Sequence, residues 1–277
     1  MSPSTRSTTL APDMVFSNAA DVLYRLERVS EGDINSSNTD TLVVSNVSPT
    51  DFQALEAKRK TSEQRYRFSY FADTKAAILT APTAAHEQMH IALYIHLMDA
   101  MCKMEVLDDW QWTASATVRA ATGSSGEADT AGSPVHYRQE EGWPTLVVQT
   151  GTGSSSQTMH ALRQKARWWF TASHRQVKVV LLVSISVQEA KLRIEKWTDQ
   201  TAEGQQQTIE VSWTGPGPVH QAPLEDRYDP KFFWVEGGPL ELKFADLFLR
   251  KPKDDEHDIV LSEGDLQDVA VRVWSAI

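Results

Sequence analysis

The stretch WPTLVVQTG (residues 143–151), the helix-forming segment behind it and the run VKVVLLVSISV (177–187) decide the fold. The second run is rich in β-branched residues and lacks polar alternation, so it reads as a strand buried on both faces. Between the two, Ser154-Ser155-Ser156 caps a helix from about Gln157 to Ala172. Upstream, Pro82-Thr83 opens the clearest helix of the chain, which ends near Met104. Its apolar positions Met89, Ile91, Leu93, Ile95, Leu97, Met98, Met101 and Cys102 are too many for one narrow stripe and predict burial on more than one side. Three strand-like segments lie between the helices: WQWTASATVRA (110–120), a short one around Asp129, and 143–150. The order helix, three strands, helix, strand predicts an α/β fold (α+β in looser terms) with a mixed central sheet flanked by helices.

Beyond this core, LRIEKW (192–197) and QTIEVSW (207–213) can pair beside the buried strand. A Pro- and Gly-rich loop (214–230) then leads to FFWV, LELKFADLF and a last helix at 264–275. Toward the N-terminus, RYRFSYF (65–71) and KAAILTA (75–81) read as a hairpin around Ala72-Asp73-Thr74. Ser48-Pro49-Thr50-Asp51 starts a helix to about Lys60, TLVVS (41–45) is a strand, and FSNAADVLYRLER (16–28) fits a short amphipathic helix. No repeat and no clean linker is seen. The expected organisation is a disordered tail at 1–15, an N-terminal helical extension at 16–64 and one domain at 65–277 with extra C-terminal strands.

The chain has 277 residues, 41% hydrophobic and 23% charged, which excludes a wholly disordered, collagen-like or disulfide-scaffold protein. With 27 Lys and Arg against 37 Asp and Glu, the net charge is -10. Nucleic acid or an anionic membrane would therefore need a local basic patch, and the acidic surface leans toward protein partners. Cys102 is the only cysteine, so no internal disulfide forms. No stretch approaches the length of a membrane span, and MSPSTRSTTLAPDM lacks the apolar core of a secretory signal. A soluble cytoplasmic or nuclear protein is the expectation.

His86-Glu87-Gln88-Met89-His90 is an HExxH pattern on a helix. Histidines at i and i+4 share a face and can chelate zinc while the Glu polarises a bound water. His96 cannot join them: Leu93 stands where a helix-breaking Gly would be needed, and ten residues of helix are about 15 Å. The competing reading is three histidines with packing roles on a buried helix.

GSSGEADTAG, WPTLVVQTG, LRQKARWWF, VKVVLLVSI and LRIEKW, in that order, resemble a group of fungal PD-(D/E)XK (restriction-endonuclease-like) nuclease-like proteins, over roughly residues 65–275. The resemblance implies an αβββαβ core and Mg²⁺- or Mn²⁺-dependent phosphodiester hydrolysis. It places Asp129 on the metal-binding Asp and Gln149 where the family has a metal-binding Glu. A neutral amide is a poor substitute there. Gly151 replaces the family's Lys, and Lys165 or Arg163 on the following helix is a relocated replacement. Glu87 is an auxiliary acid and Glu127 a weaker candidate. Two readings follow, a working metal-dependent nuclease and an impaired site that binds nucleic acid or another ligand without cutting; Gln149→Glu is expected to create or raise Mn²⁺-dependent cleavage where the cleft is otherwise intact. Alternatives are a non-catalytic scaffold for protein partners, a small-molecule enzyme reusing the cleft, and a zinc hydrolase on His86, Glu87 and His90.

Thr150-Gly151-Thr152-Gly153-Ser154-Ser155-Ser156 is a Gly-rich turn from strand to helix. It is no Walker loop, since no Gly-Lys-Ser/Thr follows, and the third Gly of a dinucleotide fingerprint is missing. Lys58, Arg59, Lys60, Arg65 and Arg67, with Tyr66, Phe68 and Tyr70, make either a nucleic-acid patch with interleaved aromatics or a solvated helix end before a strand with inward aromatics. Cys102 is expected in the core, and the tryptophans in packing.

Overall fold

A computed structural model of the protein describes residues 11–30, 39–113, 115–138, 142–153, 156–199 and 205–277. Of the tail expected over residues 1–15, residues 1–10 lie outside the described residues, as does the cap at Ser154-Ser155, while Met14 and Val15 form a strand paired with Val44 and Ser45. The chain begins β1 (Met14–Val15), α1 (Ala19–Ser30), β2 (Thr41–Ser45), α2 (Pro49–Arg59), β3 (Arg67–Phe71) and β4 (Ala76–Thr80). It continues α3 (Ala84–Lys103), β5 (Trp110–Trp112), β6 (Thr117–Arg119), β7 (Ser125–Glu127), β8 (Thr130–Pro134), α4 (Val135–Arg138), β9 (Leu146–Thr152), α5 (Ser156–Ala172) and β10 (Val179–Ser186). The last part is β11 (Lys191–Thr198), β12 (Gln205–Trp213), α6 (Leu224–Arg227), β13 (Phe233–Glu236), β14 (Leu240–Leu242), α7 (Phe244–Phe248), β15 (Ile259–Leu261) and α8 (Glu263–Trp274).

A seven-stranded sheet runs β13-β12-β11-β10-β9-β8-β5. Within it β5 and β8 are antiparallel, β8 and β9 antiparallel, and β9 and β10 parallel, with Val148 opposite Leu181. Together with α3 and α5 these strands give the expected αβββαβ order in a mixed α/β fold. The eight residues of β10 are all buried because both faces are covered. Val179, Leu181 and Val183 join Leu93, Leu97 and Met101 of α3 and Leu266 of α8, while Val180 and Leu182 join Leu162, Ala166 and Trp169 of α5. A strand with helices on both sides needs no polar face, which is why the sequence shows no alternation.

Strand pairing crosses the division expected at residue 64. A six-stranded sheet, β1-β2-β4-β3-β7-β6, runs through that boundary: β2 pairs antiparallel with β4, and β3 pairs with β7 through Tyr70 and Ser125. Segment 16–64 is thus part of a second layered unit, with Val22, Leu26, Leu42, Phe52, Leu55, Phe68 and Leu79 in one cluster. The run 110–120 is likewise two strands. β5 belongs to one sheet and β6 to the other, so the chain leaves the large sheet after Trp112 and returns at Thr130.

Local chemistry fixes the helix starts. Ser48 and Asp51 close a capping box at α2 with Pro49 in the first turn, Thr83 accepts the His86 N–H at α3, and Ser262 and Asp265 form a second box at α8. On α3, Met89, Leu93, Leu97 and Met101 are buried, but Ile95 and Cys102 are exposed, so Cys102 is not in the core. Among the described residues no helix is long and apolar enough to cross a membrane.

Leu182 is fully buried between β9, β11 and α5. Leu182→Ala is expected to lower the unfolding free energy by roughly 2–5 kcal/mol, whereas Val260→Ala on an exposed strand position should stay within about 0.5 kcal/mol. Urea unfolding of the two variants checks the difference.

Candidate functional site

β8 begins at Thr130, paired with Val148, so beyond that pair the flank of β9 facing β8 has no strand partner. The backbone N–H groups of Thr150 and Thr152 point into this gap, and buried donors must be met. Two aspartates meet them. Asp129 Oδ2 accepts the Thr150 N–H at 2.5 Å and the Thr150 hydroxyl at 3.0 Å. Asp40, just before β2, accepts the Thr152 N–H on Oδ1 at 3.1 Å.

His86 on α3 joins the two carboxylates. Its Nδ1 lies 2.6 Å from Asp40 Oδ2 and its Nε2 3.1 Å from Asp129 Oδ1, all fully buried. Arg67 of β3 closes the group: Nη1 is 3.0 Å from Asp129 Oδ1 and 2.9 Å from His86 Nε2. These three contacts cannot all be hydrogen bonds. With a carboxylate on each side, the imidazole donates to both, and the approach of Arg67 to Nε2 is that of two donors sharing one acceptor oxygen. The other guanidinium nitrogen, Nη2, reaches Glu87 Oε1 at 2.9 Å. Glu87 Oε2 accepts from His90 Nε2 at 2.9 Å, and His90 Nδ1 meets the Thr130 hydroxyl at 2.9 Å.

The charges set the protonation states. Burial alone drives the His86 imidazole down, but the charges and hydrogen bonds of Asp129 and Asp40 outweigh it and lift the group to about 9. Burial pushes Asp129 up, and His86, Arg67 and Lys165 more than reverse this, holding it well below the usual carboxylate range. Lys165 is moved down by its burial, with Asp129 and Asp40 opposing. Glu87 is lowered, first by the hydrogen bond from His90.

Four residues read from the sequence thus converge: Asp129 with His86 directly, Glu87 through Arg67, and His90 through Glu87. Gln149 does not join them. Successive residues of a strand face opposite sides, and the side chain of Gln149 donates to the Glu127 carbonyl at 2.8 Å, leaving its buried Oε1 without a partner. Lys165 is buried and reaches Thr80 Oγ1 at 3.3 Å. Arg163 instead grips Glu195 of β11 at 2.6 and 3.0 Å. Glu127 is held by Arg59 at 2.7 Å, the Thr117 hydroxyl at 2.7 Å and the Phe68 N–H at 3.2 Å. His96 pairs with Asp268 of α8 at 3.0 Å. Asp40 and Thr130 carry no signal in the sequence, while Arg67 enters there only as one member of the basic patch and Thr150 only as part of the Gly-rich turn. Nothing in a lone Asp before a strand, or an Arg in a basic run, distinguishes them.

This arrangement does not fit the metal centres the sequence suggested. Both oxygens of Asp129 already accept from protein donors, and Gln149 points to the other face of β9, so the two do not form a pair for Mg²⁺ or Mn²⁺. For zinc, every ring nitrogen of His86 and His90 faces a protein atom, and the rings stand edge-on with centroids 6.3 Å apart. Among the described residues no three His, Cys, Asp or Glu side chains are grouped to hold a metal ion.

Beside the network lies a cleft of about 1050 Å³, whose walls include Lys60, Arg65, Arg67, Thr83, Glu87 and Ser115. A groove of about 320 Å³ adjoins it, sharing Ser62 and Tyr66 and adding Lys58 and Tyr24. Of the two readings of the basic run, the aromatics follow the inward one: Tyr66, Phe68 and Tyr70 are buried, and Arg59 stacks on Phe68 at 4.5 Å. Lys58, Lys60 and Arg65 remain on the exposed rim.

No family model matches the chain, and no curated protein matches it. Among solved structures it is similar to a candidate nuclease belonging to DUF820 from Anabaena variabilis, at 12% identity and a TM-score of 0.39, over 62% of this chain and 89% of that one. At that score the likeness adds nothing to the strand order described above.

Asp40, Asp129, Arg67 and Glu87 are charged groups that act on His86. Because its folded value near 9 exceeds the ordinary 6.5, its stabilisation is complete below about pH 6.5 and is lost as the pH rises toward 9. The expected loss is about 3 kcal/mol across that window, absent in His86→Gln, as measured by denaturant unfolding at successive pH values.

Proposed function

We propose that this protein is a non-cleaving member of the nuclease-like fold that binds a phosphate-bearing polymer, nucleic acid, in the cleft beside Arg67. The observation that carries the reading is the state of Asp129. A metal-binding carboxylate needs free lone pairs aimed at open space, and this one is buried with both oxygens engaged by Arg67, His86 and Thr150. The residue that should complete a metal pair, Gln149, is turned away into a contact with Glu127. What stays open is the cleft, and its exposed rim carries Lys60 and Arg65 in a chain whose net charge is -10. Local positive charge of this kind is the minimum that phosphate contacts require.

A labelled single-stranded oligonucleotide is expected to bind with an affinity that falls steeply with salt, and the Lys60→Glu, Arg65→Glu double variant should weaken it by about tenfold and flatten the salt slope. Added Mn²⁺ should leave the strand intact. Absence of salt-dependent binding would overturn the binding half of the reading. Mn²⁺-dependent cleavage that disappears in Asp129→Asn would overturn the non-cleaving half.

Gln149→Glu offers a separate check. In this geometry the substitution sets a buried carboxylate against the Glu127 carbonyl in place of an N–H donor. The expected result is a destabilisation of roughly 2–4 kcal/mol with no gain of Mn²⁺-dependent cleavage, read from thermal or urea unfolding alongside a gel assay.

A further inference from the structure

The acid of the HExxH pattern, Glu87, has no metal to serve in this geometry, yet its surroundings are specific. One oxygen is held by Arg67 Nη2 from β3 and the other by His90 Nε2 one turn further along α3, each at 2.9 Å. Its side chain is 39% exposed, against 6% for Glu127 and 2% for Asp129. Glu87 and Arg67 both line the 1050 Å³ cleft. The carboxylate therefore lies at the wall of an open space, spanning two donors that come from different elements.

Those donors are fixed without it. Arg67 stays anchored to Asp129 through Nη1, and His90 stays against the Thr130 hydroxyl through Nδ1. Glu87 can swing into the cleft while Arg67 Nη2 and His90 Nε2 remain aimed at the place it vacates. Donors held ready in this way bind an oxyanion with little ordering cost, and a guanidinium N–H donates to a phosphate oxygen as readily as to a carboxylate oxygen.

We propose that Glu87 is an internal stand-in for a ligand phosphate: a phosphate group entering the cleft displaces the carboxylate and takes Arg67 Nη2 and His90 Nε2 in its place. This rests on the reading of the cleft as a phosphate-polymer site and names its anchoring point. In the resting protein the carboxylate competes for the same donors, so it tunes the affinity downward and rejects weak anions.

The test is titration of full-length protein with inorganic phosphate at constant ionic strength, by calorimetry, with sodium acetate as the control anion. Glu87→Ala is expected to bind phosphate at least about tenfold more tightly than the unmodified protein, with no gain toward acetate. The Glu87→Ala, His90→Gln double variant should lose most of that gain. If the double variant fails to fold, the His90 ring resonances in Glu87→Ala, expected to shift on phosphate addition, give the same information. Equal phosphate affinity in Glu87→Ala and the unmodified protein, or a gain untouched by loss of His90, would overturn the stand-in. Oligonucleotide binding by the unmodified protein without any gain in Glu87→Ala overturns it while leaving the cleft reading intact. A phosphate gain with no oligonucleotide bound by any variant supports the stand-in and moves the cleft to a small phosphorylated ligand.

Discussion

Two backbone N–H groups at the end of β9 dictate much of what surrounds them. Thr150 and Thr152 donate toward a flank where β8 has not yet begun, in the buried interior of the protein. Left unmet, each would cost a desolvation penalty of roughly 1–3 kcal/mol. The fold meets them with carboxylates, Asp129 and Asp40, and two buried negative charges then require positive partners. His86 spans them, Arg67 flanks Asp129, and Lys165 lies buried nearby. Asp40 leads into β2 and Arg67 sits on β3, both in the six-stranded sheet, while Thr150 and Thr152 belong to the seven-stranded one. The backbone accounting of one strand end is thereby the joint between two sheets. A network with nearly every member satisfied is rigid, because moving any one group exposes another.

The same accounting bears on chemistry. Asp129 lies in the short connection between β7 and β8. Its side chain is thus free to fold along the flank of β9 instead of standing on a face of the sheet. A carboxylate so placed replaces a missing strand, and its oxygens cannot also be held open for a divalent ion. Gln149, one residue before Thr150, faces the opposite side by strand parity alone. An amide there costs less than a carboxylate, since its NH₂ can donate to the Glu127 carbonyl. The neutral residue at this position is consistent with the local bonding, where a charged one would meet a carbonyl oxygen.

The sequence exposes the core well and the joint poorly, for physical reasons. The buried run of β10, the capped starts of α2, α3 and α8, and the β3–β4 hairpin are set by local patterning within a few residues, and those signals are visible along the chain. Pairing across long separations is not. Nothing local tells that Tyr70 meets Ser125, or that Trp110–Trp112 and Thr117–Arg119 belong to different sheets. Without that pairing, residues 16–64 look like an appendage. Asp129, His86, Glu87 and His90 stand out because their residue types carry chemistry. Asp40 and Arg67 do not, since an Asp beside a polar loop and an Arg in a basic run are ordinary surface signals. Cys102 misleads in the opposite sense: it sits among apolar neighbours in the sequence, but the turn of the helix carries it outward.

Charge in the cleft follows the same division between what is locked and what is free. Arg59 and Glu127 face each other at 2.7 Å, and the backbone of Phe68 and the hydroxyl of Thr117 also bind that carboxylate. Removing Glu127 from Arg59 would strand several donors at once, so this pair is part of the wall and contributes little outward field. Arg67 is different, because the acid covering its outer nitrogen is half-exposed and held by only two contacts. Lys60 and Arg65 stand on the rim. An incoming anion thus meets Lys60 and Arg65 first, with Glu63 between them on the same rim, and the Arg67–Glu87 pair at contact. That order suits a ligand carrying several charges: the rim concentrates it, and one of its groups then competes with Glu87. A singly charged anion gains little from the rim and has no such advantage over the carboxylate already in place.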